Sequence, residues 1–367
     1  MISIRSYLYH GFGSSVALFG AKGDKCIMNS GFRRITFIIV VFLLVGSGIW
    51  LILHHSSSRS DNLAQSGLVA VTDGGIWLWQ HRAWQQLGTA NDIVNQQGIT
   101  SAAMVSGTLT VGLHDGFGHQ TSVWQWKDGL WQPVAQGTMA DQQGVSAMIA
   151  YKNRIIVAFN NGSGDGIWEY RHKKWSLLGS FNNLVNQVDV SSLLVIEGQL
   201  YAGTEGDGVW EWRYHNWILI GKPGDRTSSI TVASLCSYHG SLIIAAGVNG
   251  VYQLQHNRWI WLGDRGGAWS LALWNKRLAV GTGQDGVLLW DGHHFTSLGH
   301  YSMLSAISAL VKYHNSLYTG GSKQGVLKWN NRQWESVGPA LSLSSMHVIQ
   351  FEQLWEVSPR VRPIVLL

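Results

Sequence analysis

The sequence predicts an all-β fold, and three observations support this prediction. A unit marked by tryptophan returns seven times between Gly67 and Gly338. Each unit contains four short apolar runs separated by glycine and polar residues, which is typical of strands joined by tight turns. The composition agrees, because the chain is 46% hydrophobic and only 13% charged, with 44 glycines and 20 tryptophans. No part of the repeat region has the 3.6-residue apolar period of a helix.

The period of the repeat is close to 40 residues. The second aromatic residue of each unit falls at Trp84, Trp131, Trp175, Trp217, Trp259, Phe295 and Trp334, so the steps are 47, 44, 42, 42, 36 and 39 residues. A regular period of this length indicates an array of one supersecondary unit.

The fourth copy shows the strands of one unit most clearly. Its four apolar runs cover Ser191–Ile196, Gln199–Gly203, Gly208–Trp212 and Trp217–Ile220. Four antiparallel strands in about 40 residues form a propeller blade, which buries both faces only between neighbouring blades. The sequence therefore predicts a seven-bladed β-propeller with four-stranded antiparallel blades over residues 66–358, preceded by one N-terminal transmembrane helix.

The chain ends predict how the propeller closes. The first unit begins at its second strand, Gly67–Thr72, with no apolar run just before it. The run Met346–Phe351 matches the innermost strand of the other units, and pairing it with Gly67–Thr72 would remove two exposed sheet edges. Leu354–Val357 resembles the start of another second strand, so a degenerate eighth unit is the alternative.

Two stretches carry a resemblance to a known repeat class. They read L-Y-A-G-T-E-G-D-G-V-W at Leu200–Trp210 and L-A-V-G-T-G-Q-D-G-V-L at Leu278–Leu288. They resemble the repeats of two-component-regulator-type propellers, within a propeller pattern that covers roughly residues 67–351. The resemblance implies the fold and not the function, since one fold hosts many functions.

Paired tryptophans in the third strand of several units predict an inter-blade core. Residues two apart on a strand share a face, so both rings of each pair meet the same neighbouring blade. The clearest pairs are Trp77/Trp79, Trp124/Trp126 and Trp210/Trp212. The alternative, a row of exposed rings for sugar stacking, is less consistent with repetition at one blade position.

The segment before the propeller predicts a membrane anchor. Residues 35–53 contain no charge, and a helix of this length spans about 28 Å, close to the hydrocarbon thickness of a bilayer. Arg33 and Arg34 precede it, so the positive-inside rule predicts a single-pass plasma-membrane protein with residues 1–34 cytoplasmic and the propeller extracytoplasmic. Residues 54–65 would be the linker and 359–367 an irregular tail. A cleaved signal peptide and a true start at Met28 are the alternatives.

Sorting the turns of the predicted blades by type gives two differently charged faces. The hairpin face carries the turns between first and second and between third and fourth strands. Its acidic residues are Asp128, Glu197, Asp291 and Glu352, and its basic residues and histidines are Arg82, Lys127, Lys152, Arg154, Arg171, Lys173, Lys174, Arg213, Arg258, Lys276, Arg277, Lys312, Arg332, His81, His172, His215, His256, His293 and His294. We expect this face to look toward the anionic lipid surface, and the alternative is that its turns are simply solvated.

The loop face carries the turns between second and third strands and the connections between blades. Its acids outnumber its bases, and its loops are rich in amides, which suit a hydroxyl-rich or peptide ligand. The candidate ligand-binding residues are Asn91, Asp92, Asn95, Gln96, His114, Asp115, Asn182, Asn183, Asn186, Asp225, Arg226, Asp264 and Arg265. The alternative is that Asn and Asp stand there for their turn conformations.

The residue pattern gives little sign of catalysis or metal binding. The Asp-Gly turns at Asp73, Asp165, Asp207 and Asp285 belong to different blades, too far apart for one calcium ion. We expect no metal site, no cofactor and no disulfide, with Cys236 in an inner strand. The sequence pI of about 9.2 would suit nucleic acid, but the expected extracytoplasmic position argues against it.

The sequence therefore predicts a non-enzymatic, membrane-anchored binding or scaffolding module for a protein or glycan. The alternative is a propeller hydrolase or lyase that acts on an envelope polysaccharide. Such an enzyme needs paired carboxylates and an arginine clamp on the loop face, and only Arg226 and Arg265, beside Asp225 and Asp264, are placed for a clamp.

Overall fold

The computed structural model describes residues 67–72, 74–114, 121–135, 143–160, 166–221, 230–263, 266–299, 306–321, 325–338 and 348–354, the last as backbone alone. The expected membrane segment (35–53), its linker (54–65) and the tail (359–367) lie outside these residues. Within the described part of the chain, no helix combines the length and the apolar character needed to cross a membrane.

The described strands form seven four-stranded antiparallel sheets, which are the seven predicted blades. Blades one to three contain β1 (Gly67–Thr72), β2 (Gly75–Gln80), β3 (Ala83–Gln86), β4 (Ile99–Val105), β5 (Thr108–Leu113), β6 (Val123–Lys127), β7 (Leu130–Pro133), β8 (Gly144–Tyr151), β9 (Arg154–Asn160), β10 (Ile167–Arg171) and β11 (Lys174–Leu177). Blades four and five contain β12 (Val190–Ile196), β13 (Gln199–Thr204), β14 (Val209–Arg213), β15 (Asn216–Leu219), β16 (Ser234–Tyr238), β17 (Ser241–Ala245), β18 (Val251–Gln255) and β19 (Arg258–Gly263). Blades six and seven contain β20 (Ala268–Trp274), β21 (Arg277–Thr282), β22 (Val287–Trp290), β23 (Phe295–Ser297), β24 (Ile307–Tyr313), β25 (Ser316–Gly321), β26 (Gly325–Trp329) and β27 (Trp334–Ser336), and β28 (Val348–Leu354) is the last strand.

The predicted closure is confirmed. Strand β28 pairs with β1, so the first sheet has the order β28-β1-β2-β3 and joins both ends of the repeat region. The strand extends to Leu354, which pairs with Gly67. Leu354 therefore belongs to the closing strand rather than to a new unit. The innermost strands contact one another in a ring from β4 to β28 and back to β4.

The hydrophobic core lies between blades, as the paired tryptophans predict. Trp124 and Trp126 pack in one cluster with Ile76 and Leu87 of blade one. Trp210 likewise shares a cluster with Leu178 of blade three. A buried tryptophan removes about 150–250 Å² from water, so each such ring contributes up to roughly 4–6 kcal/mol of hydrophobic stabilisation.

A left-handed glycine ends most blades beside the aromatic residue of the following blade. These glycines are Gly88, Gly179, Gly221, Gly263, Gly299 and Gly338, and all have positive φ. A β-carbon at Gly88 would lie 2.9 Å from the indole nitrogen of Trp131 and would force that ring away. The glycine at the end of each unit therefore lets the next blade pack closely.

Side-chain hydroxyls join neighbouring inner strands. Most inner strands have a one-residue bulge near their first residue, for example between Val145 and Ala147. The bulged Ser146 donates a 2.6 Å hydrogen bond to the carbonyl of Val190 in the next blade, and Ser191 donates one of 3.0 Å to Val232. The bulge thus turns a serine hydroxyl toward the following blade at the loop-face end of the strand.

In the described residues, two short helical turns lie in the connections between blades. The helix α1 (Ile93–Gln96) follows blade one, and a 3-10 turn (Leu184–Asn186) follows blade three. Both belong to the loop face, where we expect the ligand.

Candidate functional site

Two loops of similar sequence, Asn91–Gln97 after blade one and Asn182–Gln187 after blade three, carry seven of the predicted ligand residues. Both loops are held in place by their own side chains. Asn95 is buried, and its side-chain oxygen accepts a hydrogen bond from the backbone nitrogen of Ile76 at 3.2 Å. Its amide nitrogen donates to the carbonyls of Leu87 and Thr89, both at 2.9 Å. This side chain therefore ties the loop to blade one and has no surface for a ligand.

The second loop repeats the arrangement. Asn186 is buried, accepts a 3.0 Å hydrogen bond from the backbone of Ile167 and donates to the carbonyls of Leu178 and Ser180. Asp92 and Asn183 accept from the backbone nitrogens of Thr89 and Ser180 at 2.7 and 2.9 Å. The similarity of the two loop sequences is thus explained by a shared turn structure.

The remaining predicted residues divide into exposed ones and ones outside the described residues. Asn91, Gln96, His114 and Asn182 are exposed on the loop face and available to a ligand. Asp115, Asp225, Arg226, Asp264 and Arg265 lie outside the described residues, so their contribution stays a prediction.

A different part of the loop face, in blade five, presents exposed apolar side chains. The turn from Gly247 to Gly250 joins β17 to β18, and its Val248 is 71% exposed. The indole of Trp261, on β19, donates a 3.2 Å hydrogen bond to the carbonyl of Asn249 in this turn. Trp261 is nevertheless 47% exposed, so much of its ring faces solvent.

Trp269, near the start of β20, lies beside the same turn. A β-carbon at Gly247 would lie 3.4 Å from its ring, and one at Gly283 would lie 3.1 Å from its indole nitrogen. The ring therefore rests over glycines and remains 42% exposed. Val248, Trp261 and Trp269 together form what we call the blade-five patch.

The two blades that neighbour blade five carry acidic residues in their turns between the second and third strands. The corresponding turn of blade four carries Glu205 and Asp207, and that of blade six carries Asp285. Glu205 and Asp285 are exposed. Aromatic faces attract cations, and acids nearby strengthen that preference, so the patch suits a ligand with apolar groups and positive charge.

Sequence reasoning missed these tryptophans, although a signal was present. Trp269 occupies the bulge position that holds serine in Ser146 and Ser191. Trp261 stands where other fourth strands have Leu177 or Leu219, judged by the pairing of each strand with its neighbour. A departure from the repeat, rather than the repeat itself, marks the residues that the fold does not require.

The described residues give no sign of metal chemistry. Among them, no group of three or more His, Cys, Asp and Glu side chains is close enough to hold a metal ion. The Asp-Gly turns instead use a buried threonine: the Thr204 hydroxyl accepts from the backbone nitrogen of Asp207 at 3.1 Å and donates to the carbonyl of Gly208 at 2.8 Å. Thr282 makes the same pair of bonds with Asp285 and Gly286.

No protein-family model matches the chain, and no curated protein matches its sequence. The fold is similar to two structures of one protein from B. thetaiotaomicron, described as the extracellular domain of a hybrid two-component system and of a one-component system. Both are 14% identical, with TM-scores of 0.52 and 0.53, and the match covers 72% and 78% of this chain. This chain spans less than half the length of either, 44% and 46%.

Two further structures are similar at the same level. The computationally designed Ika8 protein has a TM-score of 0.53 and 17% identity, with 77% of this chain and 87% of the other covered. YCF48 bound to D1 peptide has a TM-score of 0.50 and 10% identity, with 65% and 81% covered. At such identities the similarity shows the fold alone and leaves the function to the site.

Proposed function

We propose that this protein is a non-enzymatic binding module that holds a protein or glycan ligand on its loop face. The blade-five patch carries the proposal, because it exposes two tryptophans at positions where the repeat has serine or leucine. Exposed aromatic residues at a concave or central surface are typical anchors of recognition sites. The packing of the blades does not require these two tryptophans, because other blades pack together with serine or leucine at the same positions.

The membrane setting is part of the same proposal. Residues 35–53, preceded by Arg33 and Arg34, would anchor the chain with its N-terminus in the cytoplasm and the propeller outside. The similarity in fold to extracellular domains of two-component and one-component system proteins supports this setting.

The exposed tryptophans and the acidic turns of the loop face favour a protein segment with apolar and basic side chains as the ligand. Indole rings stabilise a nearby lysine or arginine by about 0.5–2 kcal/mol, and the acidic turns add to this attraction. The peptide complex of YCF48, which is similar in fold, supports a peptide ligand. A glycan is the second candidate, because the flat exposed faces of Trp261 and Trp269 can stack against sugar rings.

In-cell crosslinking tests the proposal. A photo-crosslinking amino acid replaces Val248 in the full chain, and the captured material is identified by mass spectrometry. Two exposed positions serve as controls: Phe181 on the loop face and Tyr214 on the hairpin face. One protein or glycan captured at Val248, and much less at either control, is the expected result. Equal capture at all three positions contradicts the proposal.

The enzyme alternative has its own test. Purified full-length protein is incubated with envelope polysaccharides, and the reaction is repeated after Asp225, Arg226, Asp264 and Arg265 are replaced by alanine. Binding without turnover is the result that we expect. Turnover that the replacements abolish would instead establish a hydrolase or lyase.

A further inference from the structure

A cleft of about 460 Å³ opens on the hairpin face between blades two and three. Blade two contributes Val105, Ser106, Thr108 and Gln125 to its lining, and blade three contributes Lys152, Asn153, Arg154, Ile155, Tyr170, Arg171 and His172. Three of the lining side chains are cationic and none is acidic. The cleft therefore concentrates positive charge in a concave place, which attracts and holds anions.

One of the cations is held in position by an ion pair. Arg154 donates a 2.7 Å hydrogen bond to the carboxylate of Glu169, whose side chain is only 15% exposed. A guanidinium has five N–H donors, so Arg154 keeps donors for a second anion. Glu169 is not part of the lining, and it orients the arginine without occupying the cleft.

The other two cations lie at the rim and are free to move toward a ligand. Lys152 and Arg171 are exposed, and the ammonium group of Lys152 lies 4.8 Å from the centre of the Tyr151 ring. Gln125 and Asn153 add amide donors to the lining. Several donors around one concavity match the oxygen atoms of a tetrahedral anion.

Turn stability does not explain the charge of Lys152. Lys152, Asn153, His172 and Lys173 all adopt left-handed backbone conformations, with φ of 50°, 59°, 49° and 62°. Two-residue hairpins of this kind are most stable as Asn-Gly, and other residues there cost on the order of 1 kcal/mol each. Lys152 therefore carries its charge at a turn position where asparagine or glycine would be more stable.

We propose that this cleft binds a phosphate group, supplied either by the headgroup of an anionic lipid or by a soluble phosphate. Arg154 forms its floor, and Lys152 and Arg171 close over the anion from the rim. The site is separate from the blade-five patch, because it lies on the opposite face of the propeller.

Calorimetric titration of the purified full chain in neutral detergent tests the proposal with two probes. Inorganic phosphate represents the soluble source, and glycerophosphoglycerol represents the headgroup of phosphatidylglycerol. Binding of at least one probe at millimolar concentration is expected. Tighter binding of glycerophosphoglycerol identifies the lipid as the source, and tighter binding of inorganic phosphate identifies the soluble one. Binding of neither probe overturns the proposal.

Paired variants distinguish the cleft from the charge of the whole face. K152Q/R171Q removes two charges at the cleft, and R258Q/K276Q removes two charges from blades five and six of the same face. We expect the first pair to weaken binding by about tenfold or more and the second by less than about threefold. Equal weakening by both pairs overturns the proposal. Unchanged melting temperatures confirm that both variants are folded.

Discussion

At the scale of single residues, the tryptophan of the fourth strand forms a hydrogen bond to the preceding blade in four of the seven blades. The indole nitrogens of Trp84, Trp131, Trp217 and Trp334 donate to the carbonyls of Val337, Leu87, Leu178 and Leu298 at 2.8–3.0 Å. Blades three and five are different, because the buried indole nitrogens of Trp175 and Trp259 have no hydrogen-bond partner among the described residues. The blade before Trp175 ends in Ala135, at φ 53°, where other blades have glycine.

This difference predicts unequal effects of the same substitution. Trp217→Phe replaces the indole by a smaller ring and removes one hydrogen bond. Trp175→Phe makes the same change of ring and removes no hydrogen bond. We expect W217F to lower the free energy of unfolding by about 1 kcal/mol more than W175F. Urea denaturation of both variants measures the difference, and equal losses would show that the hydrogen bond does not stabilise the propeller.

Because of the buried thiol of Cys236, we expect the stability of the folded protein to depend on pH in the alkaline range. Burial raises the pKa of this free thiol from 9.0 to about 11. The unfolded chain therefore releases the proton at lower pH than the folded chain does. The stability that the neutral thiol contributes is complete below about pH 9 and is lost as the pH rises toward 11.

Replacing the thiol separates this contribution from other alkaline titrations. We expect the melting temperature of the native protein to fall more steeply between pH 9 and 11 than that of C236A, measured by scanning calorimetry. Parallel curves for the two proteins would contradict a buried thiol with this pKa.

At the scale of elements, the strands of the blades could be predicted from the sequence almost to the residue. The fourth unit was expected at Ser191–Ile196, Gln199–Gly203, Gly208–Trp212 and Trp217–Ile220, and its strands begin and end within one residue of those limits. Such accuracy is possible because strand limits depend on local signals, the glycines and the two-residue turns.

The loop-face site could not be predicted in the same way, for a physical reason. Asn95 and Asn186 are of a residue type that is common in ligand sites. Their loops fold back onto the blade, and the side-chain polar atoms of both residues form hydrogen bonds with the backbone. Trp261 and Trp269 look like further core tryptophans, but they are exposed because they lie where the fold needs only leucine and serine. Exposure depends on neighbouring blades, which local sequence does not describe.

The hairpins of blade three give a prediction at this scale. Changing Lys152-Asn153 to Asn-Gly supplies the preferred residues for two left-handed positions. We expect K152N/N153G to raise the free energy of unfolding by about 1 kcal/mol, measured by urea denaturation. A matched change at the already glycine-containing Ser106-Gly107 turn, S106N, is expected to have less effect. A loss of stability in K152N/N153G would contradict the argument that charge is kept there at a cost.

At the scale of the whole molecule, the propeller depends on a strand that comes from the opposite end of the chain. Strand β28 pairs with β1 along most of its length, and both of its neighbours in the ring, β24 and β4, contact it. Removing it would expose the edge of β1 and open the ring at two blade interfaces.

Truncation tests this dependence. A chain that ends at residue 347 is expected to lose cooperative unfolding and to aggregate, whereas a chain that ends at residue 354 is expected to unfold as the full chain does. Circular dichroism during heating measures both. A cooperative transition in the shorter chain would show that β28 is dispensable for closure.

The central claim, that the blade-five patch holds the ligand, is tested most directly by returning its tryptophans to the residues of the other blades. W261L/W269S is expected to keep the melting temperature, because leucine and serine occupy these positions in blades three and four. Capture of the ligand in cells by the crosslinker at position 248 is expected to fall about tenfold or more, while F181A on the same face changes it little. Undiminished capture by a folded W261L/W269S protein would contradict the claim.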